Sequence, residues 1–522
     1  MSLAAVLQIP EPSTFSQAQQ HLEWIQAMDQ ELAALEQNGT WLLISLPPGK
    51  KALNSKWVYK IQFKLDGTVA RYKARLVIKG FEQIKDKDYK YTFSPVAKLT
   101  TVRLFIALAT AKGWPLHQLD INNAFLHGYI DEEVYMHPPA GYTKALPGQV
   151  CRLQRSLYGL KQASRQWNLE LTTFLTGKGF VQSKSDYSLF TWHHNDHYIF
   201  ILVYVDDLLI TGNTLDGISQ LKQSLHSAYT IKDLGLAWYF VGIEISRSSA
   251  GTFHNQRKYI TDILSDAGMT GCKPAKFPLP QGLKLSSVTG PPFPDPESYR
   301  RLVGRLLYLT LTRPEISYAV QHPSQFLHAP AEPHYQAALH VLRYLKGTAH
   351  KGLYYAAECD FHLQAYCDAD WGACRFSARS LSGYCIFFGS SLVSWKTKKQ
   401  KTVAKSSAEA EYRAMSATTL ELEWLAQLLQ EFFLPLHLPI TLFCGNKAAM
   451  HIAANPVFHE RTKHLRIDCH YTRDKLLEGF LQTSYVPSRD QLADLFTKPL
   501  GEFQHHYLTS RLGLLDSPPT PP

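Results

Sequence analysis

Three aspartates hold the clearest chemical potential of this 522-residue chain. Asp206 and Asp207 stand side by side in YIFILVYVDDLLIT (198–211), after one apolar run (Tyr198 to Val205) and before a second (Leu208 to Ile210). Asp120 lies in WPLHQLDINNAFLHG (114–128), at the end of a shorter apolar stretch. Tyr, Ile, Phe and Val favour strands, so the first segment reads as a hairpin with the acidic pair at its bend. Charges between buried strands are costly unless neutralised. On these residues alone two readings stay open: a surface turn, where Asp is common, or a divalent cation site, since hard cations such as Mg²⁺ take carboxylate oxygens. Asp120 lies 86 positions before Asp206 (206 minus 120), with room between them for a helix-containing crossover. That is enough to bring three carboxylates onto one sheet. Such a cluster repels itself, and two metal ions that activate a 3′-hydroxyl and stabilise a leaving pyrophosphate are an economical resolution.

The elements that would position these residues can be read from periodicity. Thr14 to Asn38 has apolar residues three or four apart and predicts a helix ended by Asn38-Gly39. KWVYKIQFKLDGTVARYKARLVIKG (56–80) predicts a hairpin turning at Leu65-Asp66-Gly67-Thr68. Lys56, Lys60, Lys64, Arg71, Lys73, Arg75 and Lys79 crowd it, interleaved with Trp57, Tyr59, Phe63 and Tyr72. A solvated strand face and a phosphate-contacting face both fit that pattern. Helices are expected over 101–112, 216–228, 299–311 and 333–346, with a Pro-rich linker at 277–296. After Gly347 the texture changes to short strands, then a helix over 407–432, another strand and another helix.

Composition sets the outer bounds. Apolar residues make up 45% and charged residues 19%, values of a folded chain long enough for several domains. The net charge of +10 favours a polyanionic partner such as nucleic acid. Eight cysteines form no C-x-x-C pair, so reduced core thiols are expected. The N-terminus has no basic n-region, and no apolar run approaches the roughly 20 residues that span a bilayer. The expectation is a soluble intracellular protein with no membrane partner.

A dozen segments, in order, carry a resemblance to the reverse transcriptase and RNase H portion of copia-type LTR retrotransposon polyproteins. Among them are KWVYKIQFKLDGTVARYKARLVIKGFEQ, QLDINNAFLHGYIDEEVYMHPPAGY, SLYGLKQASRQW, YVDDLLITG, CDADW, SSAEAEYRA and QLADLFTKPL, and the resemblance runs from about 12 to 505. It implies an α+β and α/β multidomain chain: a right-hand polymerase of fingers, palm and thumb, followed by an RNase H-like mixed-sheet domain. The implied boundaries are an N-terminal helical extension at 1–45, fingers and palm at 46–248, thumb or connection at 249–350, the RNase H-like domain at 351–505 and a disordered tail at 506–522. Asp120, Asp206 and Asp207 are then the catalytic carboxylates, holding two Mg²⁺ (or Mn²⁺) ions. Lys73 and Arg75 become candidates for the nucleotide triphosphate. Phe125 matches the aromatic that crowds the nucleotide 2′ position. Tyr158, Gly159, Lys161 and Gln162 match the motif that packs on nucleotide and template. Implied partners are an RNA template, a DNA primer, RNA/DNA hybrid and dNTPs, in a cytoplasmic particle or the nucleus. No capsid-like, protease or integrase segment occurs among these residues, so a piece of a longer polyprotein or an isolated reading frame is expected.

The resemblance implies a second metal site at Asp368, Glu411 and Asp494, with Asp370 a rival to Asp368. On the helix SSAEAEYRAM, Glu409 pairs with Arg413 four residues on, which reads as solvent-facing. Glu411 shares a face with Ala414, Met415, Thr418 and Leu422, which reads as buried. The family's C-D-N after the fourth strand is Cys444-Gly445-Asn446 here, and glycine has no carboxylate. Poor or absent RNase H activity is therefore expected. The alternative for the whole chain is a non-catalytic nucleic-acid-binding remnant.

Overall fold

The structure is a computed structural model that describes residues 11–64, 68–283, 285–286, 290–455 and 466–518, with backbone only for 466–470. The Leu65 to Gly67 turn and the last four residues lie outside the described residues. The chain divides into two compact units: residues 1–97, 119–210 and 214–234 in one, and 98–118, 211–213 and 235–522 in the other.

In the first unit the basic segment forms a two-stranded antiparallel hairpin, Ser55–Phe63 with Val69–Ile78. Its period-two pattern works as strand chemistry requires: Trp57, Tyr59 and Ile61 are buried while Lys56, Val58 and Lys60 are exposed. The buried face meets the helix Leu22–Gln37, whose Trp24, Met28, Leu32 and Leu35 enter the same core. Trp24 packs edge-on against Tyr59 and Tyr72. The segment expected as a separate extension at 1–45 is thus, over its described part, integral to the hairpin's core. An amphipathic helix of this length must bury its stripe somewhere, and the hairpin supplies the surface. Beside it runs a four-stranded sheet in the order Trp41–Ser45, Gln149–Leu153, Tyr135–Met136, Ala52–Leu53.

The acidic hairpin sits in a six-stranded sheet in the order Ile231–Leu236, Leu116–Ile121, Asp207–Gly212, His197–Tyr204, Leu189–His194, Val181–Gln182. Its centre is apolar on both faces: Leu119, Ile121, Ile201, Val203, Leu208 and Ile210 are buried on one, and Phe200, Leu202 and Leu209 on the other. Helices Ala163–Gly177 and Leu215–Tyr229 pack on it through Trp167, Leu171, Leu221 and Leu225.

The second unit contains a five-stranded sheet, Tyr239–Phe240, Ile243–Ser248, Gly251–Asn255, Gly352–Ala356, Leu514–Leu515. A helical core follows from Arg257–Asp266, Pro296–Leu309, Ser317–Ser324 and Glu332–Gly347. A second five-stranded sheet runs Ser391–Lys399, Leu381–Phe388, Leu363–Asp370, Ile440–Cys444, Leu481–Tyr485. It is mixed: the first three strands pair antiparallel and the last three parallel. The long helix Ser407–Glu431 lies against it, capped by the Ser406 side chain.

Two expected boundaries change. Helix Leu99–Ala111, expected with fingers and palm, lies in the second unit. Every residue from Thr101 to Thr110 is buried, too much apolar surface for one face alone. Arg103, buried, stacks 3.8 Å over Trp395 and donates to the Val393 and Leu311 carbonyls. Residues 506–518 are not a disordered tail: Glu502–Arg511 is helical, and Leu514–Leu515 pairs with the strand Gly352–Ala356. Leu508, Leu512 and Leu514 are buried there, so the segment is packed into the folded unit. The seven cysteines with described side chains are free, and Cys367, Cys374, Cys385 and Cys444 are buried.

His254 gives this unit an acid limit. It is 3% exposed, lies edge-on to Tyr355, and its Nε2 has no hydrogen-bond partner among the described residues. Burial first, then Arg247 and Arg103, pull its pKa down to about 3. The buried ring stays neutral while the unfolded chain takes a proton near pH 6.5, so stability is present above that pH and is lost as pH falls toward 3. Between pH 7 and 5 this one residue should cost roughly 2 kcal/mol, and His254→Phe should flatten the urea midpoint over that range.

Candidate active site

Asp120 is the penultimate residue of its strand, and the Ile121 amide donates to the Asp206 carbonyl at 2.9 Å. The ends of the two acidic strands are therefore hydrogen-bonded neighbours. The bend before Asp206 is strained: Val205, a β-branched residue, has φ +61. Trp167 holds it by donating its indole N–H to the Val205 carbonyl at 2.7 Å. Strain of this kind persists only where surrounding structure over-determines it.

Asp120 and Asp206 line a cavity of about 750 Å³ together with Arg71, Lys73, Arg75 and Tyr158. Burial first, then the charge of Asp120, raises the Asp206 carboxyl above its usual range, with Arg75 and Lys73 pulling the other way. Burial, followed by Arg75 and Arg71, lowers the Lys73 ammonium. Arg75 lies 4.6 Å over the Tyr158 ring, and its Nε is buried with no partner among the described residues. Carboxylates, several cationic side chains and the unpartnered Arg75 Nε thus share one cavity.

The remaining expected residues divide. Asp207 begins its strand, half-buried, and is not part of the cavity wall. Phe125, on a 3₁₀ turn after Asn123 (φ +52), packs edge-on against Tyr158 at 5.7 Å. Gly159 has φ +94, and a Cβ there would lie 2.2 Å from the Ile78 carbonyl oxygen, so only glycine lets this loop meet the basic hairpin. Lys161 donates to the Gln83 carbonyl. Gln162 is fully buried, and its amide donates to the Asp88 carbonyl and accepts from Gln83. Both hold the loop around residue 83 rather than lining the cavity. Sequence reasoning missed Glu31, from the N-terminal helix, and Lys232 in the cavity wall. Burial raises the Glu31 carboxyl. Its only sequence signal was an acidic residue on the helix bearing the apolar stripe.

Two convergent carboxylates fit Mg²⁺, which is usually held by one or two carboxylates plus substrate phosphates rather than by an all-protein cage. Among the described residues, no group of three or more His, Cys, Asp or Glu is arranged to hold a metal ion.

In the second unit Asp368, Glu411 and Asp494 do come together. Burial first, then Asp368 and Cys444, push the Glu411 carboxyl up to about 10. Burial and Asp368 likewise raise Asp494, to about 7. Glu409 is not solvent-facing as expected: it is 4% exposed, buried with its Arg413 partner at 2.7 Å. Surface and buried i,i+4 pairs share one sequence signature. Asp370 is half-buried and lines a separate cavity of about 220 Å³ with Cys374 and Lys399. Asn446 caps the following helix, its Oδ1 accepting from the Ala449 amide. Lys498 Nζ lies 3.1 Å from Asp368 Oδ1 and 2.7 Å from Asp494 Oδ1. This set does not fit a divalent cation, because an ammonium already stands between two of its carboxylates.

The cavity thus sets a basic, aromatic-backed wall against the Asp120 and Asp206 carboxylates. Residues 38–281 match the family model described as reverse transcriptase (RNA-dependent DNA polymerase). The Pol polyprotein of transposon RE1 from Arabidopsis thaliana is 42% identical over 98% of this chain, which spans 35% of that protein. A transposon Ty5-1 protein of Saccharomyces cerevisiae is 35% identical, covering 58% of this chain and 100% of its own length. A solved foamy viral protease-reverse transcriptase in complex with dsDNA covers 88% of this chain and 80% of its own at 13% identity, with a TM-score of 0.23. The chain belongs to the reverse transcriptase family of copia-type retrotransposon Pol polyproteins. It spans about a third of the length of the curated relatives it matches first.

Proposed function

We propose that the first unit is an RNA-directed DNA polymerase, adding deoxynucleotides to a DNA primer on an RNA template. The observation that carries this reading is the shared cavity: Asp120 and Asp206 with Arg71, Lys73 and Arg75 in one wall. In this reading the basic hairpin serves as fingers and the acidic sheet as palm. Lys73 and Arg75 hold the triphosphate, and the unpartnered Arg75 Nε is free to donate to it. Tyr158 supports the nucleotide, and Phe125 behind it limits space at the 2′ position. Asp120 and Asp206 would hold two magnesium ions, with Asp207 beside them. When bound, the metal acidifies the primer 3′-hydroxyl and stabilises the pyrophosphate that leaves. The net charge of +10 suits the template and primer backbones. A cytoplasmic or nuclear site of action, alongside capsid and integrase proteins of the same element, belongs to the same reading.

The mixed sheet and long helix of the second unit support an RNase H-like domain, with Asp368, Glu411 and Asp494 at its centre. Gly445, where a further carboxylate is expected, supports weak or absent hybrid cleavage. The competing reading, a nucleic-acid binder without catalysis, rests on that same loss. Primer extension on poly(rA)/oligo(dT) with Mg²⁺ decides between them. Extension is expected; a folded protein that binds template in a gel shift yet adds no nucleotide would overturn the polymerase reading.

A further inference from the structure

The Asp368 carboxylate is fully engaged by neighbouring side chains. Its Oδ2 accepts a hydrogen bond from Thr497 Oγ1, and its Oδ1 meets Lys498 Nζ at 3.1 Å. The same ammonium bonds Asp494 Oδ1 at 2.7 Å. Asp368 and Asp494 are nearly buried, while the Lys498 side chain keeps about a third of its surface. Glu411 stands in the same cluster, and its Oε2 is buried without a hydrogen-bond partner among the described residues.

The fourth position is open rather than blocked. Cys367 and Cys444 are register partners on adjacent parallel strands, so continuing one step sets Gly445 beside Asp368. A Cβ at Gly445 would meet nothing nearer than Gln491 Nε2 at 3.7 Å, an ordinary contact. The absent carboxylate therefore reflects the residue type and not a lack of space. Asn446 offers no substitute oxygen, since it caps its helix.

We infer that Lys498 is the resident cation of the Asp368–Glu411–Asp494 cluster, standing between the carboxylates where a divalent metal would bind. The cluster is a structural element that carries its own cation, folds without metal and excludes it. A lysine is well suited to this: its compact ammonium offers three donors, of which the two aspartates use two. This inference rests on the reading of the three acids as an RNase H-like set, and it goes further by naming what occupies the set.

Localised iron chemistry tests it on the full chain. Fe²⁺ replaces Mg²⁺, and ascorbate with peroxide cuts the backbone beside bound iron; fragments are mapped by mass spectrometry. The parent protein should show no Mg²⁺-competed cuts near Asp368 or Asp494. Gly445→Asp combined with Lys498→Ala should gain them, with iron affinity at that place raised at least about tenfold. Cuts there in the parent would overturn the inference while leaving the acidic set as a metal cluster. A folded double variant that stays uncut would overturn it differently, by removing the reading of the acids on which it stands. If the double variant does not fold, Lys498→Arg and Lys498→Met decide by melting temperature. The arginine variant should melt close to the parent and the methionine variant several degrees lower. Equal melting of the two would overturn the cation's role.

Discussion

Replacing Asp206 with asparagine should lower nucleotide addition by at least about a thousandfold while leaving the fold and template binding intact. The substitution keeps the shape and hydrogen-bonding reach of the side chain and removes its charge. Asp120 then faces Lys73 and Arg75 without its neighbour from the adjacent strand end, and Asp120 and Glu31 are the carboxylates left in the cavity wall. The thermal response should run the other way. The Asp206 carboxyl is raised by burial and by Asp120, so its ionised form is a burden on the folded state. A raised acid stabilises fully only below its unfolded pKa, and that contribution is lost as pH rises. At neutral pH the asparagine variant should therefore melt no lower than the parent. Loss of activity together with loss of stability would instead mark Asp206 as a structural residue and weaken the catalytic reading.

Arg313→Met should destabilise the second unit by roughly 3–5 kcal/mol, the cost of stranding a buried charge. Arg313 and Glu315 have no exposed side-chain surface and meet at 2.6 Å. The guanidinium also donates to the Thr348 carbonyl at 2.9 Å and to Thr348 Oγ1 at 2.7 Å, tying a 3₁₀ turn to the end of helix Glu332–Gly347. Tyr344 donates to Glu315, whose other oxygen has no partner among the described residues. The methionine variant leaves that carboxylate in a dry site. Combining it with Glu315→Leu should recover most of the loss, because replacing both charges removes the desolvation cost as well as the attraction. Urea unfolding of the single and double variants measures this. A single variant within about 1 kcal/mol of the parent would show that the pair is solvated in solution.

What the sequence revealed followed from local patterns. The acidic hairpin was legible because two apolar runs flank Asp206–Asp207, and a strand end at Asp120 was legible for the same reason. The basic segment was legible as two strand-like runs, and the structure pairs them, with Trp57 and Tyr59 buried and Lys56 and Lys60 exposed. What stayed hidden depends on contacts between distant segments. Glu31 enters the cavity only because the N-terminal helix packs on the hairpin. Helix Leu99–Ala111 is apolar nearly all round, which announces burial but not the partner. Gln162 looked like a ligand contact, yet its amide is consumed by Gln83 and Asp88, 79 and 74 residues earlier in sequence. Lys498 was half legible: it follows Asp494 by four residues, but its bond to Asp368 spans 130.

The interleaving of the two units limits how the gene can be dissected. The backbone passes from one unit to the other at residues 97/98, 118/119, 210/211, 213/214 and 234/235. Three of those passages fall inside strands Leu116–Ile121, Asp207–Gly212 and Ile231–Leu236. A fragment stopping at residue 248 or 350 would carry helix Leu99–Ala111 without Trp395 and the strand Ser391–Lys399 on which it packs. Such a truncation exports a bare apolar helix into water and invites aggregation. Expression trials that cut the chain at either position should yield insoluble material, whereas point variants in the intact chain remain tractable.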